Sequence, residues 1–161
     1  MRKQYNLSYI ETHDIDWFCI IGDILIHCAS NGGRLPEKVD NRNHNRRIQK
    51  YVANMADVIE SEEDIEVNDK YVYGRLGQGP SPDAYNNYIA TFVAMAKKGF
   101  MSFDRMIERQ DTDNYIWIAK PKRQVKVEIE NLPTYDASVC PRFMKHGDII
   151  HVDCLDVYDR V

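Results

Sequence analysis

The sequence contains no apolar run that approaches the roughly 20 residues needed to cross a bilayer, so we expect no membrane partner. Its basic start, residues 1–3, is not followed by an apolar segment, which argues against a secretory signal. Cysteine is scarce, with four in 161 residues, and two of the four lie in apolar stretches. Free buried thiols are typical of a reducing compartment, so we expect a soluble cytoplasmic protein without disulfides.

A large net charge is also lacking. The 21 basic and 25 acidic residues give a formal charge of −4, which disfavours nucleic acid as a partner. Neither an internal repeat nor a linker-like segment is present, so residues 1–161 are expected to form a single domain. A domain of this length buries roughly 68–70% of the surface that its unfolded chain exposes, which is enough for a substantial core.

The clearest structural pattern is a pair of apolar runs, 17–21 and 24–29, separated by Gly22 and Asp23. Gly22 can adopt the positive φ that a two-residue turn requires, so the pattern predicts a β-hairpin. Neither run alternates with polar residues, which predicts strands that are covered on both faces. The two-residue turn fixes a register that pairs Trp17 with Cys28, Cys19 with Ile26 and Ile21 with Ile24.

Two amphipathic helices are expected to pack on the sheet. The first is predicted over about 43–59, where four apolar residues recur at steps of four, three and four. The second is predicted from Pro82 to about Lys97, because Ser81 suits the N-cap, Pro82 the first helical position and Gly99 the end.

Further apolar segments predict additional strands over 100–107, 115–119, 125–129 and 149–155. Residues 65–67 and 71–73 predict a second, weaker hairpin, and the glycine- and proline-rich stretch 74–82 predicts a loop. The expected fold class is therefore α+β, a single domain with a mainly antiparallel sheet and two amphipathic helices packed on it.

Two glycine-containing loops are candidate ligand-binding sites. One follows the hairpin and supplies Asn31, Gly32 and Gly33; the other precedes the second helix and supplies Arg75, Gly77, Gln78, Gly79 and Ser81. Free backbone amides at a helix N-terminus, with an arginine nearby, can hold an anion. The second loop is neither a P-loop nor an intact G-x-G-x-x-G, however, and a plain crossing loop would have the same composition.

His27 is the candidate catalytic residue, since it is a polar side chain inside an apolar strand. Its imidazole could carry a proton beside the Asn31–Gly33 loop, because histidine titrates near neutral pH. The alternative is a core histidine that is hydrogen-bonded to backbone or to a tyrosine.

Polar residues near the ends of two predicted strands are further candidates. His13, Asp14 and Asp16 precede the hairpin and could gather for acid–base work or a cation site, although a solvated turn would use the same residues. Ser102 and Asp104 share one face of a predicted strand, where they could line a pocket or form the wet side of the sheet.

A metal site is not expected. The chain does contain four potential zinc ligands, Cys140, His146, His151 and Cys154. Their spacing matches no familiar zinc motif, and a strand over 149–155 would send His151 and Cys154 to opposite faces. We therefore expect neither a metal nor another cofactor, with a buried thiol and a surface histidine in their place.

Two functions stay open. A basic helix beside an acidic segment, with ten tyrosines and two tryptophans, favours a small interaction or regulatory protein with a protein partner. The two glycine-containing loops with His27 favour a small hydrolase or transferase that acts on a phosphate-bearing, anionic small molecule. Whether the protein is an enzyme depends on whether these residues meet in one pocket.

Overall fold

The structure is a computed structural model that describes residues 4–77, 79–105 and 115–135. The described residues form four α-helices, α1 Leu7–Thr12, α2 Arg42–Ala53, α3 Asp69–Leu76 and α4 Pro82–Lys97, and a 3-10 turn at Glu62–Asp64. They also form six strands, β1 Asp16–Ile21, β2 Ile24–Ala29, β3 Ile65–Val67, β4 Met101–Arg105, β5 Tyr115–Pro121 and β6 Thr134–Tyr135. Helix and strand segments alternate irregularly along the chain, as in an α+β fold.

The six strands form one sheet in the order β3-β5-β4-β2-β1-β6. The β2–β4 and β1–β6 pairs are parallel, and the other three pairs are antiparallel. The sheet is therefore mixed, and the prediction of a mainly antiparallel sheet is wrong. Between β2 and β4 the chain passes through three helices and returns in the same direction, which is the kind of long crossover that a parallel pair requires.

The predicted hairpin is confirmed in its turn and in its register. Gly22 has a φ of 64°, and the pairs are those expected from a two-residue turn, including Trp17 with Cys28 and Ile21 with Ile24. All six residues of β2 are buried, which agrees with its continuous apolar pattern. The hairpin therefore forms the centre of the sheet.

Both faces of the sheet are covered. One face packs against α1 and the segment around Leu35, in a core that includes Trp17, Cys19, Ile26, Cys28 and Phe103. The opposite face packs against α2, α3 and α4, in two clusters that include Phe18, Leu25, Ala29, Val72 and Phe92. No helix of the described residues is long and apolar enough to cross a membrane.

The helices differ from the expected set of two. Helices α2 and α4 overlap the two predicted segments. Ser81 caps α4 as predicted, because its side chain accepts a hydrogen bond from the backbone N–H of Ala84. Helix α2 ends at Ala53, earlier than the apolar spacing predicted, with Asn54 as its C-cap. Helix α1 was not predicted from the sequence.

Residues 71–73 form part of α3, so the prediction of a hairpin strand there is wrong. The Asn68 side chain accepts a hydrogen bond from the backbone N–H of Tyr71, and Asp69 lies in the first turn. Both features favour the start of a helix. Strand β3 forms at 65–67 as predicted but pairs with β5, and the loop predicted from residue 74 begins only at Gly77.

The last predicted strands have mixed outcomes. Strands β4 and β5 overlap the segments predicted at 100–107 and 115–119. Residues 125–129 are not a strand, and the short β6 was not predicted. The strand predicted at 149–155 lies outside the described residues.

Candidate functional site

Two aspartates lie level with each other on strands that are separated by β2. Asp16 pairs with Ala29 across the β1–β2 ladder, and Ala29 pairs with Asp104 across the β2–β4 ladder. Paired residues project to the same face, and adjacent strands lie about 4.8 Å apart, so the two aspartate backbones are separated by about 10 Å. The residue between them carries only a methyl group, which leaves room between the two carboxyl groups.

This space is part of a cleft of about 290 Å³, here called the aspartate cleft. Its polar lining consists of Asp14, Asp16, Asn31, Arg75, Asn87, Tyr88, Thr91 and Asp104. The cleft lies where the parallel strands β2 and β4 end, with α3 and α4 above it. Crevices at the carboxyl ends of parallel strands are common ligand sites in α/β sheets.

Asp104 is the buried carboxyl group of the cleft, with 4% of the residue exposed. The Tyr88 hydroxyl donates a hydrogen bond to its Oδ2 at 2.7 Å, and Arg75 Nη2 lies 3.8 Å from the same oxygen. Burial raises the pKa of Asp104 above its ordinary value, although the Tyr88 bond and the Arg75 charge oppose the rise. Asp104 therefore keeps its proton to a higher pH than an ordinary aspartate does.

Arg75 reaches the cleft from the last turn of α3. Its guanidinium lies over the Tyr88 ring, 5.0 Å from the centroid, and 15% of its side chain is exposed. The buried Nη1 has no hydrogen-bond partner among the described residues. A buried donor without a partner is energetically unfavourable.

Asp16 is the open carboxylate of the cleft, and His27 holds it in place. Its Oδ1 lies 2.8 Å from His27 Nε2, and 40% of its side chain is exposed. Because a carboxylate can only accept, His27 Nε2 carries the hydrogen, and in the neutral ring Nδ1 accepts from the hydroxyl of Ser102 at 2.5 Å. Both His27 and Ser102 are fully buried.

The series Ser102–His27–Asp16 contains the three residue types of a serine-hydrolase triad, with the same direction of hydrogen bonding. The exposure is reversed, however. In a hydrolase triad the serine faces the substrate and the aspartate is buried, whereas here Ser102 is buried and Asp16 is open. The arrangement therefore presents a carboxylate to a ligand and keeps the serine hydroxyl away from it.

The structure brings together only part of the predicted binding set. Asn31 and Arg75 both line the aspartate cleft, and His27 lies behind it, one hydrogen bond away through Asp16. Gly32 and Gly33 instead form part of the turn that follows β2. The backbone N–H of Gly32 donates to the carbonyl oxygen of His13, and that of Gly33 donates to the carbonyl oxygen of Ser30.

The remaining predicted binding residues lie elsewhere. Gly77 and Gly79 have φ of 86° and 68°, and both have open space where a side chain would be. Ser81 is occupied as the N-cap of α4. None of the three is among the described residues that line the aspartate cleft, and Gln78 lies outside the described residues.

Sequence reasoning missed the contribution of α4 to the cleft. Tyr88 lies on that helix, and its hydroxyl donates a hydrogen bond to Asp104. Asn87 and Thr91 lie on the same helix, four residues apart, and both line the cleft. Two polar residues at helical spacing beside a half-buried tyrosine were a signal that could have indicated a polar cleft.

Metal ligation receives no support from the part of the chain that the structure describes. Within it, no group of three or more histidine, cysteine, aspartate or glutamate side chains is placed to hold a metal ion. The possible zinc ligands Cys140, His146, His151 and Cys154 lie outside the described residues.

Fold and site define the class of this protein as an α+β domain with a carboxylate-lined cleft at one edge of its sheet. No protein-family model matches the chain, and neither a curated protein nor a solved structure matches it at a significant level. Its function must therefore be inferred from the chemistry of the cleft.

Proposed function

We propose that this protein is a small hydrolase or transferase whose substrate binds in the aspartate cleft. The supporting observation is the pair Asp16 and Asp104, which lie level on the sheet with Ala29 between them. One carboxyl is buried with a raised pKa, and the other is open to solvent. Two carboxyl groups in such different environments are suited to act as acid and base in one reaction.

In hydrolysis, Asp104 donates its proton to the leaving oxygen as the bond to that oxygen breaks. Asp16 accepts a proton from the attacking water, whose oxygen forms the new bond, so the net change is the addition of water across the substrate bond. Exchange of one proton with solvent then restores both carboxyl groups. In transfer, an acceptor hydroxyl replaces the water.

The cleft lining indicates a ligand with several hydroxyl groups. Asp14 and Asp16 accept hydrogen bonds, while Asn31 and the protonated Asp104 can donate. The carboxylates of Asp14 and Asp16 repel a phosphate group placed between them and Asp104. A phosphate on the substrate, as expected from the sequence, would therefore bind outside this part of the cleft.

A panel of p-nitrophenyl glycosides, esters and phosphate tests the proposal, with release of p-nitrophenol as the readout. The variants Asp16→Asn and Asp104→Asn should each lower kcat by about 10²–10⁴-fold, the usual contribution of a general acid or base. Asp23→Asn, on the exposed hairpin turn, is the matched control and should keep full activity. Turnover that survives in both cleft variants would contradict the proposed roles.

A role in protein interaction stays a prediction. Large apolar side chains are exposed at Leu7, Tyr9, Tyr51, Val58 and Tyr73. These residues lie on four separate segments of the chain, and single exposed apolar residues are normal on protein surfaces. They give less specific support than the convergence of charged groups in the aspartate cleft.

A further inference from the structure

A second cavity, of about 340 Å³, adjoins the aspartate cleft and is here called the α2 cavity. It is lined by Tyr9 of α1 and by Arg46 and Gln49 of α2. Asp14 and Asp16 line both the α2 cavity and the aspartate cleft. The two carboxylates therefore stand at the boundary between two spaces that a single ligand could occupy.

The two spaces lie on different sides of Asp16. The aspartate cleft extends over Ala29 and Asp104, toward β2 and β4. The α2 cavity extends over Phe18 of β1 toward helix α2. A substrate whose reacting bond lies beside Asp16 can therefore extend in both directions from that bond.

The charges of the two spaces differ. Arg46 is the one cation among the described residues that line the α2 cavity, and it forms no ion pair within the described part of the chain. An exposed guanidinium offers donors in a planar arrangement that matches phosphate or carboxylate. In the aspartate cleft, by contrast, Arg75 already lies beside Asp104.

Tyr9 can offer a ligand in the α2 cavity its hydroxyl group rather than a free face of its ring. Its ring stacks on His13, with the centroids 3.7 Å apart, and also stacks with Tyr5, at 6.0 Å. Ring contacts with two neighbours leave little free face for a planar ligand group. The α2 cavity is therefore better suited to an anion that binds Arg46 than to a planar group that would stack on Tyr9.

We infer that the substrate has two parts, a hydroxyl-bearing part in the aspartate cleft and a phosphate group in the α2 cavity, bound by Arg46. This inference rests on the proposed function and specifies its substrate class as phosphorylated polyhydroxy compounds, of which sugar phosphates are the simplest. In the α2 cavity the guanidinium of Arg46 offsets the charge of Asp14 and Asp16, which line both spaces, and Asp104 is not part of the lining.

Calorimetric titration with ribose and with ribose 5-phosphate tests the inference. The phosphorylated probe should bind at least about tenfold more tightly to the unmodified protein, since an exposed arginine–phosphate pair is strong but screened by salt. Arg46→Ala should reduce its affinity to that of ribose. Arg47→Ala removes the neighbouring exposed arginine, which does not line the α2 cavity, and should leave the preference intact.

Each outcome supports or overturns the inference. Loss of the phosphate preference in Arg46→Ala but not in Arg47→Ala supports it. Equal affinity for the two probes, equal loss in both arginine variants, or binding of neither probe overturns it. The proposed function is judged separately by turnover of the p-nitrophenyl panel and its dependence on Asp16 and Asp104, so it can survive when the inference fails.

Discussion

At the scale of single residues, Asp16 and Asp104 have the same side chain but different surroundings. Asp104 is covered by Tyr88 and Arg75, and its burial raises its pKa. Asp16 is partly exposed and is fixed from behind by His27. A buried carboxyl group with a raised pKa and a second carboxyl group that is open to solvent are suited to acid–base catalysis.

The raised pKa of Asp104 predicts a pH dependence of stability. The folded protein binds more protons than the unfolded chain between the unfolded pKa, about 3.9, and the higher folded value. The stability that this proton contributes is fully present below the unfolded pKa and is lost as the pH rises through the folded pKa.

Asp104→Asn should remove this dependence. The free energy of unfolding of the variant, relative to the unmodified protein, should therefore increase as the pH is raised from about 4 toward neutrality. Urea denaturation at a series of pH values measures the difference. A difference that stays constant across this range would show that Asp104 has no raised pKa.

His27 and Ser102 predict a coupled pair of substitutions. His27→Phe leaves the buried Ser102 hydroxyl without its partner and should cost about 1–3 kcal/mol of stability. Adding Ser102→Ala removes that hydroxyl and should recover part of the loss. A double-mutant cycle from denaturation midpoints measures the coupling. Additive effects of the two substitutions would contradict a direct hydrogen bond between them.

At the scale of elements, the pairing of β2 with both β1 and β4 builds the site. The antiparallel hairpin brings the start of β1 beside the end of β2, and the parallel partner β4 ends at the same edge. Asp16 and Asp104 therefore come to lie on either side of Ala29. Helices α3 and α4 then add Arg75 and Tyr88 from above.

The hairpin predicts a graded pair of core substitutions. Ile26 is fully buried in β2, whereas Ile20 in β1 is only partly buried. Ile26→Ala should cost about 2–5 kcal/mol because it leaves a cavity, and Ile20→Ala should cost less. Chemical denaturation measures both values. An equal or larger loss for Ile20→Ala would contradict the burial seen in the sheet.

At the scale of the whole molecule, one mixed sheet joins residues that are far apart in the sequence. Its two faces are both buried, so the central strands are protected unless the domain opens globally. Cys19 and Cys28 are buried on one of these faces, and burial raises the pKa of the Cys19 thiol.

The burial of these two thiols predicts that they react only when the domain unfolds. Cys19 and Cys28 should react with a thiol reagent only when the sheet unfolds, so their rate of labelling should follow the free energy of unfolding. Mass spectrometry of peptides after labelling at increasing urea concentration measures both sites. Rapid labelling of either cysteine without denaturant would contradict a sheet that is covered on both faces.

The sequence by itself determined the features that depend on neighbouring residues. The turn at Gly22 fixed the hairpin and its register, and Ser81 and Pro82 fixed the start of α4. The reason is that backbone conformation at glycine and side-chain capping act over a few residues, so a short window of sequence contains the whole interaction. For the site, this local information indicated Asp16, Asn31, Arg75 and Asp104 only as separate candidates.

Only the tertiary structure decided how these candidates combine. The parallel partner of β2 lies some 70 residues away, and no local pattern specifies which strand will take that position. Residues 71–73 likewise have a strand-like composition, but Asn68 both caps α3 and donates to the Trp117 carbonyl oxygen of β5. The pairing of β2 with the distant β4 is stabilised because it allows both faces of one sheet to be buried. That pairing also places Asp104 level with Asp16 and so forms the cleft.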